Sequence, residues 1–200
     1  MNFSRSFTKI FQFGYIFLVI LGVISECTFY NQIGIQILRF SSVMDILISP
    51  IATLIADPVR LFMLLIFIGL LMIGVSLLFK YRKNKFSQAF ASIKNIESLS
   101  DEEIEIRYNN LFVRFLCLIM ISFFLGMAIG FGNIVSNRII NNQAQYNTKI
   151  IFSNGESELV YLLHTNSSYN IYFSKGNKNA KIAPVGAIKN IEFTNNPKLK

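Results

Sequence analysis

The side chains that most often carry catalysis are few in this chain and widely spaced. His164 is the only histidine, which excludes a multi-histidine metal site within one chain. It reads either as a pH-sensitive group or as an isolated polar-face residue of a strand, and its isolation favours the second. No serine stands in a nucleophile-elbow frame, and no glycine-rich phosphate loop occurs. Glu97, Asp101, Glu102, Glu103 and Glu105 supply the one dense carboxylate group. Little in that polar stretch would desolvate them and raise a pKa for acid–base work, so a solvated helix start is the simpler reading. No catalytic, metal or cofactor residue is assigned, and the chain reads as a non-enzyme.

Three other spacings point to interactions. Ser122, Gly126 and Gly130 recur every four residues, with Gly132 nearby. Small residues at that interval let helix backbones approach closely, either between copies of the chain or against another of its own helices. Ser41, Asp45, Ser49, Thr53 and Asp57 also recur every four, among Val43, Met44, Ile46, Leu47, Ile48, Ile51, Leu54 and Ile55. Such a line drifts about 40° per step on an ideal helix. It reads as the polar edge of an interfacial helix, or as the lining of an oligomeric pore mouth where Asp45 and Asp57 attract cations. Lys80, Arg82, Lys83 and Lys85 form a basic knot around Tyr81 and Asn84, suited to docking a cytosolic partner or anionic lipid.

These residues must be positioned by membrane elements. Soluble domains carry about 25% charged residues; here 15% are charged and 52% are hydrophobic, with a mean hydropathy of +0.47. Three apolar runs, about 11–25, 59–79 and 111–135, the first once extended at its N-terminal end by Phe3 and Phe7, are expected to cross a hydrocarbon core of roughly 30 Å as helices. The first follows Arg5 and Lys9 like a signal peptide, yet Ile24-Ser25-Glu26-Cys27 fits neither a signal-peptidase site nor a lipoprotein box; an uncleaved anchor is expected. The second opens with Asp57 as N-cap and Pro58 at the first helical position. Before the third, Ser100 to Glu103 form a capping box, so that helix is expected to start in water near Asp101 and continue into the membrane.

Orientation follows from the cations. Arg5 and Lys9 precede the first span, and Lys80, Arg82, Lys83, Lys85, Lys94, Arg107 and Arg114 crowd 80–114, whereas 26–60 carries only Arg39 and Arg60. Cytoplasmic loops retain Lys and Arg, so the N-terminus and the 80–110 loop face the cytosol and the C-terminal part lies outside. The net charge of +8 is thereby explained by topology and anionic headgroups, and no nucleic acid is expected. Segment 33–56 is apolar, but Arg39 and Asp45 are costly at mid-membrane and Pro50 would break or kink a helix. It reads as interfacial or re-entrant; a fourth span is the competing assignment. Cys27 near the outer surface and Cys117 in the inner part of the third span stand on the order of 20 Å apart, beyond the roughly 7 Å Cα limit of a disulfide. Both are expected as free thiols.

The sequence changes character over 136–200. Runs at 148–152, 158–164, 169–174, 181–185 and 188–193 are β-rich and separated by turn residues such as Asn154-Gly155 and Gly176-Asn177. A meander or small open barrel is expected, marginal in size for a solitary core. The fold class is thus an α-helical polytopic membrane protein, 1–135, with a small all-β extracytoplasmic domain, 136–200. That division fits a non-enzymatic sensor or scaffold of a bacterial inner membrane, coupling the outer domain to a cytosolic partner through 80–110; an oligomeric ion channel or transport accessory is the alternative. In size and span arrangement the whole chain resembles the membrane subunit of Kiwa-type antiphage modules. That resemblance implies antiviral defence and a cytosolic effector, and it carries no functional residue over. A homo-oligomer embedded in the lipid bilayer is expected.

Overall fold

Local signals set the helix starts. Asp57 Oδ1 accepts hydrogen bonds from the Val59 and Arg60 amides at 3.1 and 3.4 Å, and Pro58 needs no partner at the first helical position. Ser100 and Glu103 close the expected capping box: the Ser100 amide donates to Glu103 Oε2 at 2.8 Å, and the Glu103 amide donates to Ser100 Oγ at 3.3 Å. In a computed structural model describing residues 4–93 and 96–194, the helices are α1 Ser4–Asn31, α2 Val43–Ala56, α3 Pro58–Lys80, α4 Lys85–Phe90 and α5 Asp101–Ile140. Three of them, α1 over Gly14–Asn31, α3 and α5, are long and apolar enough to cross a membrane. With 40 residues, α5 extends about 60 Å at 1.5 Å per residue, twice the roughly 30 Å hydrocarbon core.

Two helices differ from expectation. The first runs on past Ser25 to Asn31, because Glu26 is not left to water: Ser49 Oγ donates a hydrogen bond to its Oε1. Gly34, at φ +78°, then ends the turn, with its own amide on the Asn31 carbonyl and the Ile35 amide on the Tyr30 carbonyl. The expected break near Pro50 does not occur, and α2 is continuous over its 14 residues. The missing N–H of residue 50 removes one helical hydrogen bond, from the Ile46 carbonyl. At about 21 Å, α2 is too short to span alone.

The chain divides into two compact units, Met1–Leu21 with Pro50–Phe124, and Gly22–Ser49 with Leu125–Lys200. In the first, the end of α3, α4 and the start of α5 enclose a core of Val75, Ala91, Ile93, Ile104, Tyr108, Leu111 and Phe112. In the second, the strands are β1 Thr148–Phe152, β2 Ser157–Thr165, β3 Tyr169–Ser174, β4 Ala180–Pro184 and β5 Ile188–Phe193, within a residue of the expected limits at each end. Gly155 and Gly176 take the positive φ that their hairpin turns require.

The sheet is antiparallel, ordered β4-β3-β2-β1-β5. Only the 3₁₀ turn Val185–Ala187 carries the chain from one edge to the other. Across a flat sheet those edges would stand roughly 19 Å apart at about 4.8 Å per strand, while the peptide steps from Pro184 to Ile188 reach at most about 14 Å. The sheet therefore curls. Inside the curl pack Ile150, Val160, Tyr172 and Ala183. Its other face, through Ile171 and Phe173, packs against Tyr30, Ile35, Ile37, Ile139 and Ala144, so the support that a small sheet needs comes from the chain's own helix ends and the loop between them.

Candidate functional site

The densest polar construction lies where the β2–β3 turn meets the start of α2. Ser42 is the residue before Val43, and with Asp45 it forms a second capping box: the Asp45 amide donates to Ser42 Oγ at 3.1 Å, while Asp45 Oδ2 accepts from the Ser42 amide at 3.0 Å and from its hydroxyl at 2.7 Å. The same carboxylate reaches the sheet. Ser167 Oγ donates to Oδ2 at 2.8 Å, and the Ser167 amide donates to Oδ1 at 3.3 Å.

Asn166 shapes that turn from within. Its Oδ1 accepts from the Ser168 and Tyr169 amides at 3.0 and 2.7 Å, and its Nδ2 donates to the Phe40 carbonyl at 2.8 Å. Edge-on ring contacts between Phe40 and Tyr169 at 5.7 Å and between Tyr30 and His164 at 6.0 Å flank it.

The electrostatics suit a fastening. The Ser42 hydroxyl above all, with Ser167 and both backbone amides, outweighs desolvation and holds the Asp45 carboxyl down at about 2. Burial pushes the His164 pKa below its ordinary value, and the Asp45 charge opposes that shift. A carboxylate that accepts this many hydrogen bonds is an anchor and a poor general base.

The line of polar residues at four-residue spacing is absorbed in the same way. Ser41 Oγ donates to the Ile37 carbonyl at 3.2 Å, Ser49 to Glu26, and Asp57 caps α3 while pairing with Arg60 Nε at 2.8 Å. The side chain of Thr53 lies outside the described residues. Val43, Met44, Ile48, Ile51 and Ile55 are exposed instead, so α2 turns an apolar face outward and its polar line toward partners in the chain.

Ser122, Gly126 and Gly130 are all exposed on α5, and a Cβ at Gly126 or Gly130 would meet nothing within 4 Å. The close approach inside the chain falls at Gly132, where a Cβ would stand 3.0 Å from the Gln32 side-chain amide. Of the basic knot, Arg82 is committed to structure: its Nη2 pairs with Asp101 Oδ1 at 2.9 Å, and its guanidinium lies 5.5 Å from the Phe79 ring centre. Lys80, Lys83 and Lys85 are exposed. Cys27 and Cys117 are free thiols.

Two features had no signal in the sequence. Ser87, buried at 1% exposure, has its Oγ 2.6 Å from the Tyr108 hydroxyl and donates to the Leu78 carbonyl at 2.5 Å. A cleft of about 690 Å³ opens beside the last turns of α1, walled by Val23, Ile24, Cys27 and Leu38, with Arg39 its one charged lining residue.

Removing the Asp45 carboxylate by Asp45→Ala is expected to cost about 1–2 kcal/mol, as for other lost caps, and to speed amide exchange at Ser167–Tyr169 more than in β1. Ser167→Ala should reproduce the faster exchange at the turn while leaving α2 capped. Exchange unchanged in both variants would show that the fastening carries no load. For His164 the depressed folded pKa means that protonation favours the unfolded chain; its stabilising contribution is present above the ordinary histidine value and is lost as pH falls through roughly 6.5. The melting temperature in detergent should drop on acidification from about pH 7.5 to 5.5, and His164→Gln should flatten that drop. No family model, curated protein or solved structure matches the chain.

Proposed function

We propose that the chain is a non-enzymatic, multi-pass subunit of a bacterial inner membrane, with three spans, the N-terminus and 80–110 in the cytosol and the curled sheet outside, acting as a sensor or scaffold for a cytosolic partner. The observation that carries this reading is α5, one unbroken helix whose first turns belong to the Val75–Phe112 core and whose last turns help support the sheet. A helix twice the hydrocarbon thickness gives a direct mechanical link between water on either side. The cation distribution sets its direction. The resemblance in size and span arrangement to Kiwa-type membrane subunits is the ground for proposing a role in antiphage defence with an effector partner. The hydrogen bonds that occupy Asp45 and Asp57 favour a scaffold over a pore lined by those carboxylates.

A reporter active only outside the cytoplasm, fused after Lys200, should be active, while the same reporter inserted at Glu97 should be silent; the reverse pattern overturns the orientation. Purification of the intact membrane complex should recover a cytosolic protein that is lost when Lys83, Lys85 and Glu102 are reversed in charge together. Recovery unaffected by that change would move the docking surface away from 80–110.

The uncovered glycines of α5 support self-association. Gly126→Leu with Gly130→Leu should shift the detergent-solubilised protein to a smaller species in light scattering without lowering its melting temperature, since both positions are open within the chain. An unchanged mass would show that this strip is not the contact between copies.

A further inference from the structure

The segment that follows α3 does not project into the cytosol as a free loop. Asn84 Oδ1 caps α4 by accepting from the Phe86 amide at 3.2 Å, and the helix turns back on the end of the span. Ser87 donates to the carbonyl of Leu78, inside the apolar run 59–79, and meets the Tyr108 hydroxyl on α5. Ala91 and Ile93 join the core containing Val75. Phe90 lies 6.4 Å, ring centre to ring centre, from Phe115, a residue within the apolar run 111–135. The aromatic side of α4 is thereby held level with the ends of two membrane-length helices.

That side has no cover. Phe86 and Phe90, one helical turn apart, have ring centres 4.9 Å apart with the planes tilted at 53°, yet they remain 64% and 43% exposed, and Tyr81 is 61% exposed. Lys80, Lys83 and Lys85 surround them and are exposed too, and none of the three forms an ion pair among the described residues. Arg82, spent on Asp101 and Phe79, fixes the segment in place. An aromatic patch level with the ends of two membrane-length helices, ringed by Lys83 and Lys85 without ion pairs and by Lys80, whose Nζ lies 5.8 Å from the Tyr81 ring centre, matches the chemistry of one surface, the headgroup boundary of an anionic leaflet: rings among the upper acyl carbons, ammonium groups among the phosphates.

We infer that the Phe86–Phe90 face of α4, with Lys80, Lys83 and Lys85, is an interfacial anchor for the anionic lipid of the inner leaflet. This rests on the three-span orientation above and takes the lipid alternative for Lys80, Lys83 and Lys85, in place of protein contact through the same cations.

The chain contains no tryptophan, so a single one reports its own surroundings. Phe86→Trp, at an exposed position that a larger ring does not crowd, is reconstituted as the full chain in vesicles of phosphatidylcholine alone or mixed with phosphatidylglycerol. Its emission should be blue-shifted and quenched by lipids brominated near the top of the acyl chain, more strongly in the anionic vesicles. Adding Lys83→Gln and Lys85→Gln should lower the inserted-to-free ratio by roughly thirtyfold in the anionic vesicles, from the loss of about 1 kcal/mol per cation near such a surface.

A companion variant, Ile73→Trp on the exposed side of α3, separates the two levels of failure. If Ile73→Trp is quenched by brominated lipid while Phe86→Trp stays red-shifted and open to aqueous acrylamide, the anchor is refuted and the span stands. If neither is quenched, the membrane reading itself falls. A Phe86→Trp signal that is blue-shifted but blind to brominated lipid would assign the face to protein contact and overturn the lipid.

Discussion

A curled sheet of this length cannot bury enough apolar surface by itself. Small domains bury a smaller fraction of their surface than large ones, and the inner core here amounts to Ile150, Val160, Tyr172 and Ala183 with a few partly buried neighbours. The outward face of β3 therefore has to find a second core. It does so through Ile171 and Phe173, which pack among Tyr30, Ile37 and Ile139. The unit's other features follow from that contact. It explains why α1 continues past Glu26, since Tyr30 must reach the sheet, and why Gly34 turns the chain sharply enough to place Ile35 and Ile37 in the same core.

Polar groups near this contact have to be satisfied or they would offset it. A buried carboxylate or amide without a partner costs more than a typical hydrogen bond contributes. Asp45 answers that by accepting from Ser42 and Ser167, and Asn166 by engaging Phe40 and its own turn. Glu26 is answered by Ser49. Ser41, Asp45, Ser49 and Asp57 are spaced to meet such demands one turn at a time. Their four-residue rhythm records a helix edge facing its own chain, and the apolar side at Val43, Met44 and Ile48 is what remains for the surroundings.

Much of this was legible residue by residue. Capping chemistry is local, so Asp57, Pro58, Ser100 and Glu103 announced two helix starts, and the hairpin glycines announced two turns. The five strands could be placed because β-rich runs alternate with turn residues. What could not be read was tertiary. Tyr169, Ile171 and Phe173 alternate with Asn170, Tyr172 and Ser174, and that period-two pattern predicts a half-buried strand. Both faces are covered instead, and Asn170 is 1% exposed with Thr165 Oγ1 donating to its Oδ1. Period-two alternation cannot distinguish a face open to water from one packed inside a curl. Ser87 was invisible for the same reason, since its two partners lie nine and twenty-one residues away. In the glycine-rich part of α5 the spacing was apparent, but only the structure separates Gly132, pressed against Gln32, from the open Gly126 and Gly130.

Coupling across a bilayer needs a rigid connection and an element with two arrangements. On the reading proposed above, α5, continuous over 40 residues and free of proline, would be the connection. For the second, the fastening at the β2–β3 turn has suitable energetics. It consists of a few hydrogen bonds to one part-buried carboxylate, together worth about 1–2 kcal/mol as a lost cap would be, with His164 nearby and readily disfavoured in its charged form. The cores made by Ile171 and by Tyr108 have far more apolar area to lose on opening. Opening within the unit that holds the sheet would therefore cost least at Asp45 and Ser167, while the apolar core around Ile171 stays closed.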